Sequence, residues 1–320
     1  MKASLFEKLT IVIPTNNRDY TFRRLVEYLN RIEYKMKVII IDSSKKKKNT
    51  KNLPYSYFYL PGKNANIKIL KILNQIKTKY VVTIADDDFF LLNGLIKSIK
   101  FLEKNQDYIG AHGDYYIHSK ILDFKYLNFY KFMPIKYSNT NYQPTKGKSF
   151  DRALKYLDGK LSPLNYAMFR TDIYKKVWKI STKLKREDVI FLELIPCFLF
   201  YYHGNIKKIN EPYISRERSF RVKPQVEFTD NNIYKIALKF LSREIFGNKF
   251  KKKKNYKKLE KMFISKRLIE TNKINSKNKR SFISRISNLF QIFKYLLSDR
   301  TNIKKGLILE IIKKYPEVYD

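Results

Sequence analysis

The chain has 320 residues, of which 44% are apolar and 15% aromatic, so it is not a disordered chain and can bury the core of one large domain, alone or with an appendage. It carries 67 Lys and Arg against 29 Asp and Glu, a formal net charge of +38. That charge suits an anionic partner such as nucleic acid, an anionic membrane surface or a phosphorylated substrate. Lys, Asn, Ile, Tyr and Phe are all abundant, as expected of an AT-rich genome, so the charge permits such partners without identifying one.

The compartment is indicated by what the sequence lacks. One cysteine, Cys197, cannot form a disulfide within the chain, so nothing points to an oxidising compartment. The start, Met1–Lys8, is too short and too charged for a signal peptide. No stretch reaches about 18 apolar residues, because the longest contains Glu193 and Pro196. We expect a cytoplasmic protein, free or peripheral at the inner face of the cell membrane.

Over the first hundred residues, short apolar runs alternate with stretches of helical spacing. In the first helical stretch we expect Arg23, Arg24 and Glu27 to face solvent. This alternation predicts an α/β fold, with a Rossmann-like, mostly parallel sheet flanked by helices. The predicted strands are Leu9–Pro14, Lys37–Asp42 and Tyr80–Ala85, and the predicted helices are Thr21–Ile32, Asn66–Lys77 and one through Leu95–Leu102.

The pattern changes twice further along the chain. Residues 111–147 have few helix signals and predict an antiparallel extension or loops, followed by helices at Phe150–Leu157, Thr171–Ile180 and Arg186–Tyr202, the last interrupted at Pro196. Residues 231–320 hold 24 Lys and Arg against 7 Asp and Glu and predict a basic helical extension. It includes the run Lys251–Lys254 and an amphipathic stripe over Phe282–Ser298. The stripe suits either a membrane surface or packing against the core or a second subunit.

Three acids, Asp86–Asp88, end the third predicted strand and precede another apolar run. A solvated acidic turn is one interpretation. Because the triplet lies between hydrophobic segments in a chain short of acids, we favour a site for a hard divalent cation. Mg²⁺ and Mn²⁺ bind one or two carboxylates and complete their shell with phosphate oxygens and water.

Two other strand ends carry polar residues. Open α/β sheets bind ligands at the carboxyl ends of their strands, where Pro14–Arg18, Asp42–Ser44 and Asp86–Asp88 are predicted to lie. Asp42 suits a nucleobase or ribose, and Asn17 and Arg18 precede a helix whose amino terminus favours phosphate. Taken singly, Asp42 could be a turn residue and Arg18 a surface charge.

These three segments, Thr10–Arg18, Ile39–Ser44 and Tyr80–Phe89, resemble the amino-terminal half of family 2-type glycosyltransferases. The similarity is greatest to a bacterial branch whose metal motif reads Ala-Asp-Asp-Asp-Phe, here residues 85–89. It covers about residues 9–110, weakens to about 220 and is absent beyond. The resemblance implies a GT-A fold that binds a nucleoside-diphosphate sugar with Mn²⁺ or Mg²⁺.

The resemblance also assigns roles by position. Asp86 and Asp88 would bind the metal, and uridine is the default base. Asn16 replaces a frequent aromatic residue and Ser43 a frequent second acid, so the base identity stays open. The implied donor-binding residues are Pro14, Thr15, Asn17, Arg18, Asp42, Lys68, Asp86 and Asp87, and Lys63 and Asn64 lie where relatives often contact the donor or the sheet edge.

A catalytic base is implied in the second half of the chain, where family members often carry a Glu-Asp pair at a helix start. Glu187 and Asp188 match that placement, and Asp188 is preferred by analogy. A sugar hydroxyl is a poor nucleophile, so a carboxylate must take its proton during attack. The alternative is that both acids simply favour a helix amino terminus.

Other polar residues are weaker candidates. His203 could bind metal or phosphate, although a structural role is favoured, and His112 and His118 are expected at the surface or in loops. Arg216 and Arg218 could clamp a diphosphate from a mobile loop, or could form a solvated charge cluster.

The resemblance therefore implies a metal-dependent, inverting glycosyltransferase that builds a surface polysaccharide such as capsule or lipopolysaccharide. The expected partners are a nucleotide-sugar donor and a glycan or lipid-linked acceptor, with an anionic membrane surface as a further candidate. The expected catalytic domain is 1–230, with a donor half (1–110) and an acceptor half (111–230), before the 231–320 extension. The alternatives are a basic nucleic-acid-binding protein, for which no recognised motif is found, and a nucleotidyl- or phosphotransferase, which typically has a Gly-rich or Lys signature near its first strand.

Overall fold

The computed structural model describes residues 2–50, 53–63, 65–124, 127–135, 148–161, 163–186, 188, 190–217, 230–249, 254–279 and 303–314. Its strands are β1 (Leu9–Thr15), β2 (Lys37–Asp42), β3 (Ser56–Tyr59), β4 (Tyr80–Thr83), β5 (Phe89–Phe90), β6 (Tyr108–Phe124), β7 (Leu127–Ile135), β8 (Met168–Arg170) and β9 (Asn205–Glu217). Its helices are α1 (Lys2–Phe6), α2 (Asp19–Asn30), α3 (Ala65–Ile72), α4 (Leu92–Lys104), α5 (Ser149–Leu157), α6 (Thr171–Ser181), α7 (Ile195–His203), α8 (Asn231–Phe246), α9 (Lys254–Lys279) and α10 (Ile303–Lys314). A 3₁₀ turn covers Leu73–Gln75, and a π-helical turn covers Ile190–Leu194.

The strands described form one sheet in the order β3-β2-β1-β4-β8-β6-β9-β5, with β7 paired to β6. Strands β1 to β4 are parallel to one another, whereas β8 is antiparallel to both β4 and β6. Helices cover both faces, so the predicted α/β class is confirmed. In the parallel half, Thr15 lies opposite Asp42, which brings the ends of β1 and β2 to one edge.

Alternate residues of each central strand enter different hydrophobic cores. In β1, Val12 packs with α3 and α5 to α9, while Ile11 and Ile13 pack with α2, α4 and α10. A sheet buried on both faces requires continuous apolar strands, and β1 and β2 have them. Each fully buried Val or Ile contributes roughly 1.5–3 kcal/mol relative to an exposed one.

Several predicted elements differ from those observed. The predicted helix Arg186–Tyr202 is instead a π-helical turn followed by α7, and Pro196 lies in the first turn of α7 rather than interrupting a helix. A proline in a first turn removes no helical hydrogen bond, since the first N–H groups have no partner within the helix. The region after residue 111 forms the antiparallel β6–β7 pair, one of the two alternatives.

The predicted solvent-facing position of Arg24 is also wrong, because its side chain is completely buried. The spacing of its neighbours is amphipathic as predicted, and Arg23 is exposed. Helical spacing cannot reveal a buried ionic partner, and Glu217, at the end of β9, supplies one.

Three described helices of the basic carboxyl-terminal region pack against the rest of the molecule. Helix α8 begins at Asp230, whose carboxylate caps the N–H groups of Asn232 and Ile233. The inner faces of α8 and α9 contribute apolar residues to the same core as α5 and α7, and α10 packs against α2. The Phe282–Ser298 stripe and Lys251–Lys253 lie outside the described residues. In the part that is described, no helix is long and apolar enough to cross a membrane.

Candidate active site

The ends of β1 and β4 meet through the predicted acidic segment. Thr15 Oγ1 donates a hydrogen bond to Asp86 Oδ2 at 2.6 Å, since β1 and β4 are adjacent parallel strands. Arg18 Nη1 lies 3.2 Å from Asp86 Oδ1 and 2.6 Å from Asp87 Oδ2. Thus four residues predicted at the donor site, from two separate segments, contact one another.

The end of β2 adds Asp42, which has no exposed surface. Asp42 Oδ2 accepts from the Tyr57 hydroxyl at 2.6 Å, and its Oδ1 accepts from the Ser44 N–H at 2.8 Å. Both carboxylate oxygens are therefore engaged within the protein. In this geometry Asp42 fixes the loop after β2 and the Tyr57 ring, and a ligand at the surface would meet those groups before the carboxylate.

The loops after β1 and β2 are tied together by side chains. Asn17, at a left-handed φ of 52° that asparagine tolerates, donates its N–H to Ser44 Oγ at 2.8 Å. Its Oδ1 accepts from the Lys45 N–H at 2.9 Å. Beneath them, the buried Lys68 donates to Ser43 Oγ at 2.9 Å. Pro14 precedes these loops in β1, opposite Ile41. The strand edge is therefore held rigidly by local polar contacts.

Burial makes this edge electrostatically unusual. Burial, followed by the nearby Asp87 charge, raises the pKa of Asp86 to about 6, and the same two causes raise the pKa of Asp88. Burial also lowers the pKa of Lys68, although the carboxylates of Asp42 and Asp86 oppose that shift. Crowded, desolvated carboxylates favour either protons or a nearby cation.

Asp88 is held by the end of β9. Its Oδ1 accepts the backbone N–H of Glu217 at 2.8 Å, and Arg216 Nε lies 3.6 Å from its Oδ2. The Arg216 guanidinium lies over the Tyr166 ring, 4.7 Å from the centroid, and the Tyr166 hydroxyl lies beside Asp88. Helix α4 packs closely on β9 at Gly94, where a Cβ would lie 2.5 Å from Pro212 O.

A buried ionic cluster lies behind Asp88. The Glu217 carboxylate pairs with the Arg24 guanidinium, and His118 Nε2 lies 3.9 Å from Glu217 Oε2. His118 Nδ1 is 2.9 Å from Ser215 Oγ. The surface position expected for His118 is therefore wrong, as is that for His112, since both are buried in β6. Burial lowers the pKa of both imidazoles, to about 4 for His112.

The acidic segment carries the oxygen ligands that a divalent cation requires. Asp88 Oδ2 is buried and accepts no hydrogen bond, and the charged group beside it is the Arg216 guanidinium, whose Nε lies 3.6 Å away. Asp86 already accepts from Thr15 and Arg18, but each carboxylate oxygen has a second lone pair. Among the described residues no three His, Cys, Asp or Glu side chains form a ready-made metal cage. A hard cation that completes its shell with donor phosphates needs only one or two carboxylates.

Asp188 lies apart from these contacts. Its Oδ2 accepts from Arg186 Nε at 2.5 Å, and its carbonyl accepts the N–H groups of Phe191 and Leu192 at the start of the π-helical turn. Within the described residues no hydrogen bond or ion pair joins Asp188 to Asp86, Asp87 or Asp88. Glu187 lies outside the described residues, so the predicted pair is represented by Asp188.

The remaining candidates lie in varied environments. His203 ends α7, is partly buried and has its pKa lowered to about 4 by burial and then by Lys176. Lys63 is exposed in the turn after β3. Asn64 and Arg218 lie outside the described residues.

Three residues at the site were not identified by the sequence. Tyr166, Tyr57 and Glu217 contact Asp88 or Asp42, but none belongs to a motif or lies at a predicted strand end. The one available signal is that Glu217 lies between Arg216 and Arg218 in a cluster of charged residues.

No protein-family model matches the chain, and no curated protein matches it. Solved structures of S. aureus TarS align with this chain at TM-scores below 0.5. TarS 1–349 aligns over 98% of this chain and 81% of that chain, with 11% identity and a TM-score of 0.49. TarS 1–349 in complex with UDP-GlcNAc aligns over 98% of this chain and 82% of that chain, with 12% identity and a TM-score of 0.48. A longer TarS structure, of which this chain spans 44%, gives 12% identity, 75% coverage of this chain and a TM-score of 0.44.

Proposed function

We propose that this protein is a metal-dependent glycosyltransferase that moves a sugar from a nucleoside-diphosphate donor to a glycan or lipid-linked acceptor. The observation that carries the proposal is the contact of Thr15 and Arg18 with Asp86 and Asp87 at the carboxyl edge of parallel strands. Ligands of open α/β sheets bind at such an edge. The resemblance of three separate segments to family 2-type glycosyltransferases supports the same assignment.

The donor would lie across the tied loops after β1 and β2. Helix α2 begins directly after Arg18 without a side-chain cap, and helix amino termini favour phosphate. Arg18 would bind the diphosphate through its guanidinium fork. Asp42 would act through Tyr57 and Ser44, which it positions, and UDP remains the default donor nucleotide.

Asp86 and Asp88 would hold Mn²⁺ or Mg²⁺. When bound, such an ion neutralises the charge that develops on the leaving diphosphate. The protein's own contribution is to hold the carboxylates in position, through Thr15 for Asp86 and through the Glu217 N–H for Asp88. Both carboxylates are almost completely buried, so little water competes for them.

Asp188 would be the base that accepts the acceptor hydroxyl proton, with Glu187 as the alternative. Direct attack on the anomeric carbon with the base on the acceptor side inverts the configuration. Arg186 would orient the Asp188 carboxylate.

The expected setting is surface polysaccharide synthesis, such as capsule or lipopolysaccharide, at the inner face of the membrane. Helices α8 and α9 support a peripheral location through their exposed residues. On α9, Lys257, Lys261, Ile264 and Leu268 fall on one stripe at helical spacing and are all exposed. Basic and apolar side chains on one face suit an anionic lipid surface.

A donor screen tests the proposal. UDP-, GDP-, CMP- and dTDP-sugars would be compared by thermal shift with Mn²⁺ and with EDTA. One donor at about a hundredfold excess over its dissociation constant should stabilise the protein by roughly 2.7 kcal/mol, and EDTA should abolish the effect. No response to any donor, together with a gel shift on random DNA at physiological salt, would favour a nucleic-acid-binding protein. Metal-dependent cleavage of a nucleoside triphosphate would favour a nucleotidyl- or phosphotransferase.

A further inference from the structure

All three carboxylates of the acidic segment face guanidinium groups of the protein itself. Arg18 Nη1 contacts both Asp86 and Asp87, and Arg216 Nε lies 3.6 Å from Asp88 Oδ2. The two arginines come from different elements, the loop after β1 and the end of β9. The two guanidinium groups therefore lie where they would compete with a bound cation for the carboxylates.

The carboxylates and the arginines differ in exposure. The side chains of Asp86 and Asp88 are each 3% exposed, whereas that of Arg18 is 53% exposed. Buried carboxylates without a counter-charge are costly. An ion pair to a half-exposed arginine is weak, because water and salt screen the exposed charge. The acids therefore need a cation, but Arg18 is one that can leave at little cost.

Arg18 also has a second acceptor at hand if the proposed function is correct. A donor diphosphate would lie at the amino terminus of α2, directly after Arg18. Guanidinium groups pair with phosphate as readily as with carboxylate, and in the same forked geometry. Loss of the carboxylates to a metal ion would therefore leave Arg18 beside a replacement partner.

We propose that Arg18 is an exchangeable counter-ion: it occupies the carboxylates in the donor-free protein and transfers to the diphosphate when metal and donor bind. This inference rests on the proposed function and adds to it how metal binding and nucleotide binding depend on each other. Metal alone competes with Arg18 and binds weakly, whereas metal with nucleotide releases Arg18 to a new partner. Metal and nucleotide binding are then positively coupled, each raising the affinity of the other by the same factor.

The test uses Arg18→Gln in the full chain, with Mn²⁺ and UDP as probes. Free Mn²⁺ would be measured by electron paramagnetic resonance with and without UDP, and UDP binding by calorimetry. In the variant, Mn²⁺ should bind the nucleotide-free protein about 3–5-fold more tightly, while UDP affinity with Mn²⁺ falls by a similar factor, the upper end of the range expected from a weak ion pair. The coupling factor should shrink accordingly.

Arg23→Gln is the matched control, because Arg23 is an exposed residue of α2 and its loss removes the same charge close by. It should leave both affinities within twofold of wild type. Arg18→Lys keeps the charge without the fork and should fall between wild type and Arg18→Gln.

Exchange predicts that Mn²⁺ affinity rises while UDP affinity falls, whereas a structural role predicts that both fall. A fall in both affinities would make Arg18 a structural residue and overturn the inference, as would an unchanged Mn²⁺ affinity or an equal gain in Arg23→Gln. In those cases coupled binding of Mn²⁺ and UDP by the wild-type protein would leave the proposed function standing. Failure of the wild type to bind Mn²⁺ even with UDP would overturn both the metal assignment and the exchange.

Discussion

The backbone N–H of Glu217 donates to Asp88 Oδ1 at 2.8 Å, so the last residue of β9 orients a carboxylate that lies between β4 and β5. The Glu217 side chain is itself fixed by the buried Arg24 of α2. Helix α2, strand β9 and the acidic segment are thereby connected through two buried polar contacts.

Arg24→Met should therefore destabilise the protein strongly. It leaves the Glu217 carboxylate buried without its partner, and breaking a buried ion pair costs about 3–5 kcal/mol. The double variant Arg24→Met/Glu217→Met should recover most of that loss, since apolar residues can replace a buried pair. Urea unfolding measures both. A single variant within about 1 kcal/mol of wild type, or a double variant less stable than Arg24→Met, would show that the pair does not stabilise this connection.

Asp88→Asn should abolish Mn²⁺-dependent donor binding without unfolding the protein. Asparagine keeps an oxygen for the Glu217 N–H but removes the charge that burial and Asp87 disfavour, so stability should be equal to or higher than that of wild type. Calorimetry with UDP and Mn²⁺, beside thermal unfolding, measures the two effects. Donor affinity and turnover equal to wild type would remove Asp88 from the metal site.

Asp188→Asn should keep donor affinity and lose transfer by a factor of about 10²–10⁴, the usual effect of a positioned general base. The control is Asp172→Asn, an exposed acid in the first turn of α6, which should transfer normally. The measurement is the initial rate of sugar transfer at a saturating donor concentration. Transfer by Asp188→Asn within a few-fold of the control would assign the base elsewhere, with Glu187 tested next.

Glu103 gives a prediction for stability against pH. It accepts from Lys79, Lys8 and Tyr80 at 2.6–2.8 Å, and these donors lower its pKa from 4.5 to about 2. Because the folded pKa is depressed, its contribution is present above the unfolded value and is lost as pH falls from about 4.5 towards 2.

Glu103→Gln should therefore be less stable than wild type at pH 7 and should approach it as the pH falls towards 2. Denaturant unfolding at several pH values measures this difference. Glu33→Gln, at an exposed position before β2, should show no such convergence. A stability gap for Glu103→Gln that stays constant from pH 7 to pH 2.5 would contradict the assigned ion pairs.

Membrane attraction is tested best by surface changes, because α8 and α9 are buried in the core on their inner faces and truncation at residue 230 would expose that core. Each basic residue near an anionic bilayer contributes about 1 kcal/mol. Lys257→Gln/Lys261→Gln should thus reduce co-sedimentation with anionic vesicles by at least tenfold at low salt. Lys100→Gln/Lys104→Gln, an exposed pair with the same spacing on α4, should bind like wild type. Equal binding to neutral vesicles, or none to either, would refute the attraction.

Much of the parallel half of the fold followed from the sequence. Apolar runs of strand length separated by helical spacing can bury both faces of a sheet in only a few ways, so β1, β2 and β4 and their shared edge were predictable. The carboxyl ends of adjacent parallel strands must lie together, which is why the proximity of Thr15, Arg18 and Asp86 was correctly expected.

The supports of that edge were decided by tertiary structure alone. Arg24 has the sequence context of a surface residue, yet it is buried because β9, nearly two hundred residues later, brings Glu217 against it. Asp42 is buried by Tyr57, and Asp88 is oriented by a backbone N–H, which no side-chain pattern can encode. Local periodicity determines which face of an element is apolar, but the partner of a buried charge depends on which distant segments the completed fold brings into contact.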